Sequence, residues 1–124
     1  MQSILYVGIG GFIGASLRYI ISVNSSRLFG TQLPYGTLIV NVLGGLLIGV
    51  IMEFSLTTDF ISHDLRLFLT TGILGGLTTF STFSYETISF LSEGRYIVGI
   101  SNIFLNLILS FAGVVLGKLA AQMI

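Results

Sequence analysis

Long apolar stretches alternate along this chain with short segments that carry the charged residues. Four stretches have no charge at all: 1–17, 28–52, 67–85 and 96–117. Each is close to the roughly 20 apolar residues that an α-helix needs to cross the hydrocarbon core of a bilayer. The pattern predicts an all-α integral membrane protein, a single domain over 1–124, with four transmembrane helices near 3–23, 36–56, 64–91 and 95–121.

The connections between the predicted helices carry ordinary turn and capping residues. The first expected loop contains Asn24-Ser25-Ser26 and 30–34, the second covers 57–63, and the third is Glu93-Gly94. Ser62 or Asp59 is the expected N-cap of the third helix. A cleaved signal peptide is an alternative for the first segment, which however lacks a positively charged start and an Ala-x-Ala site. With such short loops, function is expected on helix faces or at a subunit interface.

Composition supports the membrane assignment. The 124 residues include 5 basic and 5 acidic side chains, so 8% are charged, whereas a soluble domain carries about 25%. The formal net charge is zero and there is no run of Lys or Arg, so nucleic acid is a poor partner. The absence of cysteine removes thiolate metal sites and cysteine nucleophiles. Only Asp59, His63 and Asp64 cluster with metal-ligand chemistry, and in a predicted loop they do not favour an enzyme.

The positive charges give no preferred orientation in the membrane. Four helices place the N-terminus, the second loop and the C-terminus on one side, where Arg66, Lys118 and the terminal amine lie. The other side holds three positive charges as well, on Arg18, Arg27 and Arg95. Because the positive-inside rule then selects neither orientation, we predict dual topology and an antiparallel homodimer. The alternative is that one marginal charge or a cellular factor sets a single orientation.

Each predicted helix contains two glycines at four-residue spacing. The pairs are Gly10 and Gly14, Gly45 and Gly49, Gly72 and Gly76, and Gly113 and Gly117. Residues four apart lie on the same face of a helix, and small residues there let two backbones approach closely. The pairs therefore predict tight helix packing, which is a common structural feature of membrane proteins.

Several polar residues interrupt the apolar spans. Asn41 lies about two turns into the second helix, and Asn102, Asn106 and Ser110 recur on one face of the fourth. An unpaired amide in hydrocarbon costs free energy, so these groups must meet water, an ion or one another. For any one of them alone, interhelical hydrogen bonding is a sufficient explanation.

The segment 75–84 gives the third helix an unusual polar track. It reads Gly-Gly-Leu-Thr-Thr-Phe-Ser-Thr-Phe-Ser, and paired glycines followed by two threonines form a poor helix. We therefore predict that the third helix is broken mid-membrane, where freed carbonyls could hold a cation. Phe80 and Phe83 share a face, with Ser81 and Ser84 beside them. Positive ring edges and hydroxyl donors together suit a small anion, although an aromatic pair at this spacing is more often core packing.

At these residues the sequence resembles the Fluc/CrcB family of fluoride channels. The likeness runs from the first helix to the fourth and rests on three strings in order: Gly10-Gly11-Phe12-Ile13-Gly14-Ala15 with Arg18-Tyr19, Gly36-Thr37-Leu38 with Val40-Asn41 and Gly44, and Gly72-x-x-Gly75-Gly76-x-Thr78-Thr79-Phe80-Ser81-Thr82-Phe83-Ser84 with Glu86. The third string is the most specific of these. The fourth helix matches mainly through Ser110.

The resemblance implies an antiparallel homodimer with two pores in the bacterial inner membrane, a multi-pass protein that releases fluoride passively and so lowers cytoplasmic fluoride. It implies a structural sodium ion at the dimer interface, held by the backbone carbonyls of Gly75 and Thr78. The residues implied to line the fluoride path are Asn41, Phe80, Ser81, Phe83, Ser84 and Ser110. No roles for Asn102 and Asn106 follow from it.

Two other classes of membrane protein fit the length and the four helices. A dual-topology multidrug antiporter needs a titratable carboxylate deep in the membrane, but Glu53 and Glu86 lie near predicted helix ends. A noncatalytic assembly subunit would use the glycine pairs but does not require the polar track.

Arg18 and Glu86 are a further candidate pair. They fall at similar depth near the same interface, because the first and third helices start on the same side. They could therefore pair within one subunit, as a structural or vestibule pair. The alternative is that Arg18 extends to the lipid headgroups and Glu86 is solvated.

Overall fold

The computed structural model describes residues 1–124 and contains four membrane-length helical spans, all apolar enough to cross a bilayer. The first two are α1 (Gln2–Phe29) and α2 (Tyr35–Thr57), and the last is α5 (Tyr96–Gln122). The third span consists of α3 (63–77) and α4 (Ser81–Ser92). Within α3, an α-helical start His63–Leu67 is followed by a π-helical segment Phe68–Leu74 and a last turn Gly75–Leu77.

The predicted helix limits differ from the observed ones by one residue, except at the end of α1. That helix continues to Phe29, so the prediction of a loop at Asn24-Ser25-Ser26 is wrong. Asn24 Nδ2 donates to the carbonyl of Ile20 at 2.8 Å, and Ser25 is buried. Such residues favour turns by local propensity, but here the burial of Ser25 keeps the segment helical.

The helix ends follow from local chemistry. α1 ends at Gly30, whose φ of 85° is readily adopted only by glycine, and Gly94 between α4 and α5 has a φ of 77°. α3 begins after Ser62, whose hydroxyl accepts a hydrogen bond from the Leu65 N–H at 3.2 Å. Ser62 is therefore the N-cap of α3, as one of the two sequence-based alternatives predicted.

The third span is interrupted at residues 78–80, which confirms the predicted break. α3 ends at Leu77, and Thr78 takes an extended conformation with φ −83° and ψ 161°. The helix resumes at Ser81 as α4. The interruption directly follows Gly75 and Gly76, which contribute little intrinsic helix stability.

The predicted glycine pairs form two seams between helices. In the first, α1 packs against α3: a Cβ on Gly10 would lie 2.6 Å from the Phe68 carbonyl oxygen, and one on Gly76 would lie 2.6 Å from the Gly11 carbonyl oxygen. Gly72 approaches the Gly10 Cα in the same seam. The backbones are thus too close for any side chain, as expected for small-residue packing in lipid.

The second seam joins α2 to α5. A Cβ on Gly45 would lie 2.7 Å from the Ser110 carbonyl oxygen, and one on Gly113 would lie 3.1 Å from the Val42 carbonyl oxygen. Gly49 and Gly117 make equivalent backbone contacts one turn further along. This seam places Asn41 of α2 beside the polar face of α5.

Few apolar side chains are buried within the single chain. The fully enclosed apolar cluster is small, consisting of Val40, Leu74 and Leu77. Large apolar side chains are instead exposed along all four spans, for example Phe12 of α1 and Phe104 of α5. Such a surface is unfavourable in water and is accommodated by lipid or by another protein chain.

The seam between α1 and α3 predicts a sharp difference between two glycines of the same helix. Gly10→Ala would place its methyl group against Phe68 and Gly72 backbone atoms, so we expect a loss of about 1–3 kcal/mol in folding free energy. Gly8→Ala is the control, because no atom lies within 4 Å of the added methyl group. The thermal midpoint in detergent, followed by size exclusion, measures the difference. Equal midpoints for the two variants would contradict the packing argument.

Candidate functional site: a cavity at the helix break

A cavity of about 400 Å³ lies beside the interruption of the third span. It is bounded by α2, by both sides of the break and by the polar face of α5. Ten residues line it: Asn41, Gly75, Thr78, Thr79, Phe80, Phe83, Asn106, Leu107, Ser110 and Phe111. None of them carries a charge, so the cavity is a neutral site within an apolar span.

Phe80 and Phe83 both line this cavity, one on each side of the start of α4. Their ring centroids are 5.6 Å apart and the ring planes are inclined by 58°. Phe83 is 8% exposed, whereas Phe80 is 75% exposed in the single chain. This separation and inclination are those of an ordinary aromatic pair, in which the positive edge of one ring approaches the face of the other.

The Asn41 side chain hydrogen-bonds to the backbone at the break. Its Oδ1 accepts a hydrogen bond from the Thr79 N–H at 2.9 Å, and its Nδ2 donates to the Thr79 carbonyl at 3.1 Å. The same Nδ2 donates to Asn106 Oδ1 at 2.9 Å. One side chain thus satisfies both backbone groups of a residue that has left the helix, which would otherwise be costly in a membrane.

The carbonyls of Gly75 and Thr78 are among those that lose their helical donors at the break. In a continuous helix, the Thr79 N–H would bond to the Gly75 carbonyl, but it donates to Asn41 instead. The Thr82 N–H would bond to the Thr78 carbonyl, but it donates to Thr79 Oγ1 at 3.1 Å. Gly75 and Thr78 also line the cavity, and oxygens freed in this way are typical cation ligands in broken membrane helices.

Ser110 supplies a hydroxyl donor to the cavity. Its Oγ is buried and has no hydrogen-bond partner in the chain. A buried hydroxyl without a partner is uncommon, because the missing bond costs about 1–3 kcal/mol. The hydroxyl is therefore an unused donor at the wall of the cavity.

Ser81 and Ser84 are not among the residues that line the cavity. The Ser84 hydroxyl donates to the Phe80 carbonyl at 2.8 Å, and Ser81 Oγ lies 3.5 Å from Thr79 Oγ1. Their predicted role in the fluoride path stays a prediction.

Arg18 and Glu86 approach the same region from different elements. Arg18 lines a second cavity of about 230 Å³ together with Thr37, and the Thr37 side chain lies beside the Glu86 carboxyl group. Glu86 Oε1 is buried without a hydrogen-bond partner. Both side chains thus face Thr37 but are not joined within one chain, and their pairing stays a prediction.

Sequence reasoning overlooked two features of the site. It did not single out Thr79, although the Thr-x-x-Thr spacing of 79–82 matches a side-chain cap at the start of a helix. It also missed Thr87, whose hydroxyl accepts a hydrogen bond from Asn102 Nδ2 at 3.0 Å. Nothing in the sequence indicates that contact, because it depends on how α4 packs against α5.

The sequence matches the family described as "CrcB-like protein, Camphor Resistance (CrcB)" over residues 5–118. The chain belongs to the CrcB family. Three CrcB relatives named "Fluoride-specific ion channel FluC" are similar over nearly their whole length. The protein from Clostridium perfringens is 60% identical over 97% of this chain and 94% of its own. That from Clostridium novyi is 52% identical over the same shares, and that from Ruminiclostridium cellulolyticum is 45% identical over 100% and 95%.

Membership of the CrcB family agrees with the fold and with the absence of an enzyme motif. The named relatives are bacterial ion channels rather than enzymes. Together with the four membrane-length helices, this makes the chain a multi-pass bacterial membrane protein. The antiporter and assembly-subunit alternatives have no relative among those named above.

Proposed function

We propose that this chain is a fluoride-selective channel that releases fluoride passively and so prevents its accumulation in the cytoplasm. The CrcB relatives carry that activity in their names. The bacterial cell membrane is the location, more narrowly the inner membrane. The observation that carries the proposal from this chain itself is the neutral cavity with the Phe80 and Phe83 rings and the partnerless Ser110 hydroxyl.

The cavity chemistry explains how a small anion could be held without being trapped. Fluoride loses hydration when it enters an apolar span, and hydroxyl donors and positive ring edges replace part of that hydration. No cationic side chain lines the cavity, so there is no fixed countercharge to bind the ion too tightly. Conduction requires such intermediate binding, favourable enough for entry and weak enough for exit.

Ser81 and Ser84 place two further hydroxyl groups on α4, although the Ser84 hydroxyl donates to the Phe80 carbonyl within the single chain. We place both in the fluoride path with Asn41, Phe80, Phe83 and Ser110. Both residues lie about one turn apart on α4, which carries the Phe83 ring and directly follows Phe80. Arg18 and Glu86 would then act at the entrance of this path rather than in its neutral centre.

Passive fluoride release lowers cytoplasmic fluoride because of acid–base chemistry. Hydrogen fluoride is a neutral weak acid that crosses membranes and dissociates in the more alkaline cytoplasm. The charged anion cannot return through lipid, so it accumulates unless a pathway exists. A channel suffices for this task, since the gradient of the ion itself drives its exit.

The test is ion efflux from liposomes that contain the purified protein. We expect fluoride efflux, read with a fluoride electrode, to begin only when valinomycin lets potassium leave as well, because an anion that crosses alone builds up a membrane potential. Protein-free liposomes are the control, and liposomes loaded with chloride report selectivity. Chloride efflux as rapid as that of fluoride, or fluoride efflux independent of valinomycin, would refute a fluoride-selective channel.

We further propose that two copies assemble as an antiparallel homodimer. The support is the balance of positive charges between the two sides and the exposure of Phe80 in the single chain. A second copy placed over the break would cover that ring.

Because the natural chain has no cysteine, Ile124→Cys introduces a single thiol for labelling from one side of intact vesicles. Labelling of about half the molecules is expected for dual topology, whereas complete or absent labelling would exclude it.

A structural sodium ion at the dimer interface is the third part of the proposal. The carbonyls of Gly75 and Thr78 would hold it, since both have lost their helical donors, and a second copy would supply two more. Such an ion would stabilise the break by neutralising partial negative charge. Elemental analysis after gel filtration into sodium-free buffer tests this: retained sodium supports the proposal, and protein dimers free of sodium contradict it.

A further inference from the structure

Asn102 of α5 and Thr87 of α4 are buried polar residues outside the cavity. Asn102 is 0% exposed and Thr87 is 5% exposed, and neither lines the cavity. Polar groups are costly in a membrane span unless they are paired, so their partners define what they can do.

A chain of hydrogen bonds begins at the helix break. The Thr79 N–H donates to Asn41 Oδ1, and Asn41 Nδ2 donates in turn to Asn106 Oδ1 at 2.9 Å. These hydrogen bonds thus connect the break in the third span to α2, and α2 to the polar face of α5.

The series of hydrogen bonds continues along α5 and then returns to the third span at α4. Asn106 Nδ2 donates to two oxygens of Asn102, to the backbone carbonyl at 2.9 Å and to Oδ1 at 3.1 Å. Asn102 Nδ2 donates to Thr87 Oγ1 at 3.0 Å, and the Thr87 hydroxyl donates to the Phe83 carbonyl at 2.8 Å. Its far end is therefore the backbone of a residue whose ring lines the cavity.

Backbone groups fix the direction of two of the three amides in this series of bonds, those of Asn41 and Asn106. The Thr79 N–H requires an oxygen on Asn41, which turns Asn41 Nδ2 toward Asn106. The Asn102 carbonyl requires a nitrogen on Asn106, which leaves Asn106 Oδ1 to face Asn41. Because each bond determines the orientation of the next, loss of one member leaves a neighbour unpaired in a dry environment.

We infer that Asn102 and Thr87 are positioning residues for the anion cavity, acting through Asn106 and Asn41 on the break and through Phe83 on the ring. Their hydrogen bonds connect the break at Thr79 with α4 at Phe83 by way of α2 and α5. Since Asn41 and Phe83 are assigned to the fluoride path, this inference rests on the proposed function.

The first experiment replaces the Thr87 hydroxyl without changing its size. Thr87→Val removes the acceptor of Asn102 and the donor to Phe83, so we expect fluoride flux per dimer to fall by about tenfold or more. Thr87→Ser keeps the hydroxyl and is expected to conduct within about twofold of the natural protein. Thr58→Val is the matched control, because it removes the same type of bond, from Thr58 Oγ1 to the Phe54 carbonyl, at the end of α2.

A second measurement reports on positioning rather than on general stability. Amide hydrogen exchange at Thr79 should be slow in the natural protein although the residue is not helical, because its N–H is bonded to Asn41. Exchange there should accelerate in Thr87→Val and stay slow in Thr58→Val and Thr87→Ser. A purely structural role of Thr87 would raise exchange throughout α4 and α5 and leave Thr79 no more affected than its neighbours.

Each outcome bears on the inference. Equal flux in Thr87→Val and Thr87→Ser, or an equal loss in Thr58→Val, would overturn it. If Thr87→Val does not assemble, rapid exchange of the Thr79 amide in the natural protein overturns the inference, and slow exchange supports it. If the natural protein conducts no fluoride, the proposed function fails, whereas faster exchange at Thr79 in Thr87→Val than in Thr58→Val still shows that Thr87 acts on the break.

Discussion

Phe80→Ile and Phe83→Ile should each reduce fluoride flux per folded dimer by about tenfold or more, while the dimer persists. Isoleucine preserves apolar bulk and membrane insertion but has no ring with a positive edge, which we propose contacts the ion. Phe83 is buried, so its replacement should also cost about 1 kcal/mol in stability through the change of shape. Phe80 is largely exposed in the single chain, and a smaller intrachain cost is expected there. Flux from liposomes and size exclusion in detergent separate conduction from assembly.

Phe104→Ile is the matched control for both variants. Phe104 lies on α5, is 57% exposed and does not line the cavity, so its replacement should leave flux unchanged. If the two rings only packed against each other, all three variants would conduct alike once corrected for folded protein. Full flux in both Phe80→Ile and Phe83→Ile would disprove the ring-edge mechanism, though not the channel function.

Asn41→Ala should abolish most of the flux and also lower the thermal midpoint. If Asn41 contributed one donor to the ion path, water could replace it and the loss would be mild. The structure shows instead that the side chain bonds to the N–H and the carbonyl of Thr79 and to Asn106. Alanine leaves these groups unpaired, at about 1–3 kcal/mol for each buried group. We therefore expect a flux at least about tenfold lower, measured in liposomes, together with a lower midpoint in detergent.

Asn24→Ala provides the comparison for this variant. Asn24 also uses its amide to bond a backbone carbonyl, that of Ile20, but it is exposed near the end of α1. Its replacement should change neither flux nor midpoint appreciably, because water satisfies the carbonyl there. Retention of more than half the flux in Asn41→Ala would show that the break does not depend on this side chain.

The membrane spans could be predicted closely because burial in lipid leaves little freedom. A charge within hydrocarbon is so costly that the charge-free stretches nearly define the helices. The exception is the end of α1, where turn-forming residues remain helical because Ser25 is buried against the rest of the fold. Local propensity predicts a loop at such residues, and tertiary packing overrides it.

The candidate site was predictable in part. The spacing of Phe80 and Phe83 and the polar face of α5 both follow from helix periodicity, and the structure brings these residues to one cavity with Asn41. The contact of Thr87 with Asn102 could not be predicted, because it depends on how α4 packs against α5. For Arg18 and Glu86, similar depth in the membrane did not determine which neighbour each side chain meets.

The sequence by itself determined the four spans, the pairs of small residues and the weak point of the third helix, since these depend on properties of residues close together in the chain. Only the tertiary structure decided which glycine pairs pack against each other: those of α1 pack against α3, and those of α2 pack against α5. It also decided that Asn41 replaces the helical partner of the Thr79 N–H and thereby frees the Gly75 carbonyl. The physical reason is that helix periodicity and lipid burial are local constraints, whereas the pairing of buried polar groups depends on which helices lie within hydrogen-bonding distance.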